Sequence, residues 1–124
     1  MWKTYKELYH RYPKITLEEE RKLIAKAQKG SKEKVDELVL RHIGFVIYRI
    51  YKKTLPAYCE RFGEDMLSEA IFVLQDKVKT YDLKYKDKEG QAKPVRFASY
   101  IWKRIDGFIV DYLNQENQRN DGLQ

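Results

Sequence analysis

Between residues 35 and 50 the apolar side chains obey a single repeat. Val35, Leu38, Val39, His42, Ile43, Val46 and Ile50 recur at helical spacing for more than four turns, ending before Pro56. That spacing puts them on one face of an α-helix. A helix with one long apolar stripe must bury it against other elements, so the stripe dictates a helix-packed core. Strand-like alternation is absent elsewhere. Three prolines and six glycines argue against a turn-rich β fold.

The same period organises the flanking segments. Trp2, Tyr5, Leu8, Tyr9 and Tyr12 repeat at helical spacing until Pro13 interrupts. Thr16 opens Thr-Leu-Glu-Glu, a capping box in which Glu19 reaches back to the Thr16 amide. Leu17, Leu23, Ile24 and Ala27 carry that helix to Gly30, and Ser31 caps the long one that follows. Residues 54–63 read as a connector. Glu64 and Asp65 suit the first turn of a further helix whose buried face is Leu67, Ala70, Ile71, Leu74 and Val78. Residues 82–95, polar and lysine-rich with Gly90 and Pro94, read as a loop. A last helix carries Phe97, Tyr100, Ile101, Ile105, Phe108, Ile109 and Tyr112, and the polar chain from Gln115 onward is expected to fray. The expectation is an all-α, compact bundle of about five helices. Residues 1–15 form an N-terminal helical extension, 16–114 the domain, and 115–124 a polar C-terminal tail.

At 124 residues with 43% hydrophobic and 35% charged side chains, the chain suits one core and not wholesale disorder. No apolar run approaches a membrane span, and the first residues lack the apolar stretch of a signal peptide, so a cytoplasmic protein is expected. Single Cys59, in the connector, rules out an internal disulfide. With only His10 and His42 beside it, a zinc site is not expected either. The chain has no glycine-rich phosphate loop, nucleophile elbow or zinc-helix motif. His42, on the apolar face, reads as a packed and hydrogen-bonded side chain. An enzyme is the least supported class, and neither a cofactor nor a metal is expected.

Charge narrows the partner. Twenty-five basic residues against nineteen acidic ones leave +6, and residues 81–105 alone hold +4 while 61–80 hold −1 and 106–124 hold −3. A basic balance favours a polyanionic partner. The stretch 84–104 interleaves lysines and arginines with Tyr85, Phe97, Tyr100 and Trp102, residues suited to phosphates and unpaired bases respectively. The same composition also fits a solvated loop beside core aromatics.

Three segments, in order, carry a family resemblance. Residues 17–30 (LEEERKLIAKAQKG) resemble the segment preceding region 2 of bacterial sigma-70 factors, and residues 38–46 (LVLRHIGFV) resemble that family's first core helix. Residues 65–74 (DMLSEAIFVL), closed by Tyr81-Asp82, are similar to the helix with which that family docks on RNA polymerase. Residues 96–100 (RFASY) and 104–113 (RIDGFIVDYL) look like its promoter-facing helix, closer to alternative than to housekeeping members. The likeness spans about residues 16–114.

The resemblance implies a helical domain that binds the β′ clamp of core RNA polymerase and recognises and melts the promoter −10 element. Asp65, Ser68 and Glu69 would meet the polymerase, although Ser68 stands where glutamine is commoner. Arg96, Phe97, Tyr100, Trp102, Lys103 and Arg104 would face DNA, chiefly the single-stranded non-template strand, with Lys84, Lys86, Lys88 and Lys93 of the long loop adding phosphate attraction. Lys103 and Arg104 replace the housekeeping tryptophan pair, Trp102 sits one position earlier, and Asp106 replaces a frequent arginine. Nothing resembles the helix-turn-helix that reads the −35 element. Two other readings use the same residues: a basic helical DNA-binding module that does not start transcription, and an interaction protein that binds an anti-sigma factor.

Overall fold

Thr16 starts the first helix as its spacing requires. In the computed structural model, which describes residues 7–8 and 10–122, the Glu19 N–H donates to Thr16 Oγ1 at 3.1 Å and the Thr16 N–H donates back to Glu19 Oε1 at 3.4 Å. This capping box opens α1 (Leu17–Gln28), and Gly30, at φ 106°, turns the chain out of it. Ser31 Oγ then accepts the Lys34 N–H at 3.3 Å and opens α2 (Lys32–Lys53). The two remaining helices are α3 (Pro56–Thr80) and α4 (Phe97–Gly122). The fold is all-helical, with four named helices among the described residues. Residues 1–6 and 9 of the expected first helix lie outside those described, and Tyr12 closes one turn there by donating to the Leu8 carbonyl at 2.9 Å.

The long stripe is the centre of the protein. Leu38, Val39, His42, Ile43, Val46, Ile47 and Ile50 of α2 are all buried, and α2 packs against each of the other three helices. Facing it are Leu23 and Ile24 of α1, Met66, Ala70, Leu74 and Val78 of α3, and Phe97, Ile101, Ile105 and Ile109 of α4. Each such aliphatic side chain contributes about 1.5–3 kcal/mol on full burial, so packing rather than helix propensity holds these helices in place.

Two boundaries differ from the sequence reading, and they differ together. The connector is only Thr54 and Leu55, because Pro56 sits in the first turn of α3, where its missing N–H leaves no bond unmade. Residues 56–63 are therefore helical, and Cys59 is a buried helix residue whose thiol burial pushes upward in pKa, not a loop thiol. Glu64 and Asp65 consequently stand well inside α3 and not in its first turn. At the other boundary, residues 115–122 continue α4 instead of fraying. The two extensions run side by side: Phe62 meets the Tyr112 ring edge-on at 6.1 Å between centroids, and the Tyr58 hydroxyl donates to Asn117 Oδ1 at 3.4 Å.

Helix α1 clamps the opposite end of the α3–α4 pair. Gln28 Nε2 donates to the carbonyls of Val78 and Tyr81 at 2.9 and 2.7 Å, satisfying groups left over at the end of α3. Arg21 donates to the Leu83 carbonyl at 2.7 Å. The loop that follows is organised by Asp87, whose Oδ1 accepts the N–H groups of Glu89 and Gln91 at 3.0 Å each. A single antiparallel bridge joins Lys86 and Ala92, and Gly90 supplies the positive φ of 78° that the turn needs.

Candidate protein- and nucleic-acid-binding surfaces

Asp65, Ser68 and Glu69 recur at the i, i+3, i+4 spacing of one helix face, and all three are exposed on α3. Neither carboxylate forms an ion pair among the described residues. One turn on, Phe72 is 67% exposed, an apolar ring with no core to enter. Tyr112 of α4 registers both acids. Burial raises its pKa first, and the charges of Asp65, Glu116 and Glu69 add to the rise. This face thus combines two uncommitted carboxylates with one accessible ring.

The six residues nominated on and before α4 separate into three groups. Arg96 and Phe97 both tie the start of α4 to other parts of the chain. Phe97 is fully buried, with its ring 4.8 Å from that of His42, and offers no face to a base. Arg96 donates to the Ile15 carbonyl at 2.8 Å and lies 3.8 Å from Glu20 Oε1, so its guanidinium ties the start of α4 to the segment before α1 while the side chain stays 35% exposed. Alongside Arg41, His42 and Glu20 it also lines a cleft of about 430 Å³.

Tyr100 occupies an intermediate place. Its ring packs edge-on against Tyr81 at 5.4 Å, its hydroxyl shares a 2.8 Å hydrogen bond with Thr80 Oγ1, and Lys77 Nζ stands 5.0 Å from its centroid. It remains half-buried, held from one side by the end of α3. Trp102, Lys103 and Arg104 are exposed on a different part of α4. Two positions along a helix differ by about 200°, so Trp102 and Tyr100 do not share a face. Lys84, Lys86, Lys88 and Lys93 are all exposed around the loop, which lies beside Tyr100 through the Tyr81 hydroxyl bond to the Val95 carbonyl at 2.6 Å.

Two long-range polar contacts were not legible in the sequence. Arg49 of α2 grips Asp106 of α4 with both ends of its fork, Nε at 2.8 Å from Oδ1 and Nη2 against Oδ2, while Lys53 Nζ stands 3.8 Å from the same carboxylate. Bonding to Arg49 holds the Asp106 carboxyl below its ordinary pKa, against the upward push of burial, with the Arg49 and Lys53 charges assisting. The acid at 106 therefore serves an internal pair. The second contact joins Glu20, buried at 6% exposure, to the start of α4, where its Oε2 accepts the Phe97 N–H at 3.0 Å. His42 completes this corner. Its Nδ1 donates to the Leu38 carbonyl at 2.7 Å, and its Nε2 stands 3.6 Å from Glu20 Oε1. Partners 57 and 77 residues apart leave no local pattern to read.

Among the described residues no group of three or more His, Cys, Asp or Glu side chains converges to hold a metal ion, and no helix is long and apolar enough to cross a membrane. No protein-family model, curated protein or solved structure matches this chain.

Proposed function

We propose that this chain is a sigma-70 region 2-like domain, working in the cytoplasm, that binds the β′ clamp of core RNA polymerase and captures unpaired bases of the promoter −10 element. The observation that carries the reading is the placement of two chemically opposite surfaces on one α3–α4 pair. The outer face of α3 offers Asp65, Ser68 and Glu69 to a basic protein surface, with Phe72 as an apolar anchor. Charge-assisted bonds from carboxylates to arginine or lysine suit such a contact. The end of α3 and the start of α4 instead surround Tyr100 with Lys77 and the lysine-rich loop, the combination that takes a flipped base and its phosphates.

Arg96 and Phe97 enter this reading as positioning residues, since they fix the start of α4. Lys103 and Arg104, exposed one turn further along, are available to the phosphate backbone. Retention of this chain on immobilised core polymerase tests the docking half, with Glu69→Lys as the discriminating variant. Loss of retention with unchanged circular dichroism is the expected result. Full retention of the variant would remove the α3 face from the interface.

A further inference from the structure

Exposed aromatic rings and cations also gather between α2 and α4, on a surface of which this reading uses only Lys103. Tyr48 is 53% and Trp102 41% exposed, and Arg49 lies between them. Its guanidinium carbon is 5.9 Å from the Tyr48 ring centroid and 5.8 Å from that of Trp102. Lys52 Nζ stands 5.6 Å from the Tyr48 centroid and donates to the Tyr48 hydroxyl at 3.2 Å, while Lys103 Nζ stands 5.6 Å from the Trp102 centroid. Asp106 fixes Arg49 through its two-point contact. The acid neutralises one cation of the cluster, and Lys52, Lys53 and Lys103 leave the surface positive.

The core does not require this arrangement, because neither ring is buried. A guanidinium within 6 Å of two exposed rings gathers π faces at one surface, and cations at its rim suit a phosphate chain. Bases stack on such faces regardless of sequence, but only when they are unpaired. An acidic peptide would use the cations and leave the rings idle.

We propose that Tyr48, Arg49 and Trp102 form a stacking platform for unpaired bases of single-stranded nucleic acid, with Lys52, Lys53 and Lys103 on its phosphates. The inference rests on the single-strand part of the proposed function and extends it to α2. A strand leaving Tyr100 would cross the start of α4 to reach Trp102 on the other side. Asp106 acts as a positioning residue that keeps Arg49 beside the two rings.

The test titrates the full chain with a short labelled oligothymidylate, followed by anisotropy, and in a Trp2→Phe background by Trp102 emission. An abasic strand of equal length and polyglutamate serve as charge-only controls. Tyr48→Ala should weaken oligothymidylate binding about tenfold, with Tyr48→Phe close to the parent. Trp102 emission should be quenched by oligothymidylate and not by the abasic strand. Unaltered affinity of Tyr48→Ala, or equal quenching by the abasic strand or polyglutamate, overturns the platform. If Tyr48→Ala is silent while Tyr100→Ala abolishes binding, the platform falls and base capture at Tyr100 stands. The reverse pattern keeps the platform and removes Tyr100, and no binding by the parent chain removes both.

Discussion

Glu20 of α1 caps the first amide of α4, its Oε2 accepting the Phe97 N–H at 3.0 Å from 77 residues away. A helix begins with amides that have no internal partner, and a carboxylate beside them also favours the positive end of the helix dipole. The cap is buried, and its other oxygen faces His42 and Arg96. The start of α4, and with it the position of Tyr100 one turn further, is therefore set by α1 and not by a residue next to it in the chain.

Removing that carboxylate should be costly. Glu20→Ala leaves the Phe97 amide without its acceptor in a buried corner and is expected to lower stability by about 2–3 kcal/mol, measured by urea unfolding. Glu20→Gln keeps an acceptor there and should lose less. Equal losses for the two variants would assign the effect to the carboxylate charge beside His42 and Arg96 and not to the hydrogen bond at the Phe97 N–H.

Acid should weaken the fold through the same corner and through Asp106. Burial pushes the Glu20 pKa up, but the contact with His42, the Phe97 N–H and the charges of His42 and Arg96 outweigh it, leaving the carboxyl below its ordinary value. Asp106 is held down likewise, chiefly by Arg49. A carboxyl depressed in the folded state contributes fully above its unfolded value of about 4, and that contribution is lost as pH falls through the lower folded value. Denaturant midpoints should thus be level in this respect near neutrality and drop below about pH 4. Asp106→Asn should start lower and fall less steeply with acid. A variant curve parallel to the parent would exclude Asp106 as a source of the slope.

Tyr100 separates base capture from packing. Tyr100→Phe gives up the hydroxyl bond to Thr80 but retains the ring that Lys77 and Tyr81 surround. It should preserve any preference for single-stranded −10 oligonucleotide over duplex. Tyr100→Ala should abolish the preference at a cost of about 1–3 kcal/mol on single strand. An equal loss on duplex would indicate a general defect of the α3–α4 corner.

The loop lysines should act without choosing sequence. Changing Lys84, Lys86, Lys88 and Lys93 together to glutamine is expected to reduce affinity for all DNA sequences alike and to flatten its salt dependence. Binding isotherms at several salt concentrations on matched and mismatched −10 strands provide the measurement. A shift in preference between those strands would mean that the loop reads bases.

Apolar period and capping chemistry are local, and by themselves they determined most of the helices. The stripe from Val35 to Ile50, the Thr16–Glu19 box, the Gly30 stop and the Ser31 cap each involve residues within a turn or two of one another, so their physics is complete in the sequence. The exposed acids of α3 and the basic stretch before and within α4 were legible for the same reason, as charge and spacing.

Only the tertiary structure decided what those elements do to each other. Residues 56–63 start with Pro56 in the first helical turn and bury Cys59 and Phe62 in the core, and Tyr58 and Phe62 also meet Asn117 and Tyr112 of α4, whose end runs alongside them. Phe97 looks like surface chemistry in a basic aromatic run, yet it is buried against His42 of α2, and Arg96 beside it is tied to Glu20 of α1 and to the Ile15 carbonyl. Asp106 reads as one more helix acid until Arg49 of α2 is beside it. Burial and ion pairing depend on proximity in space, and no periodicity along a chain encodes which helix will lie across from which.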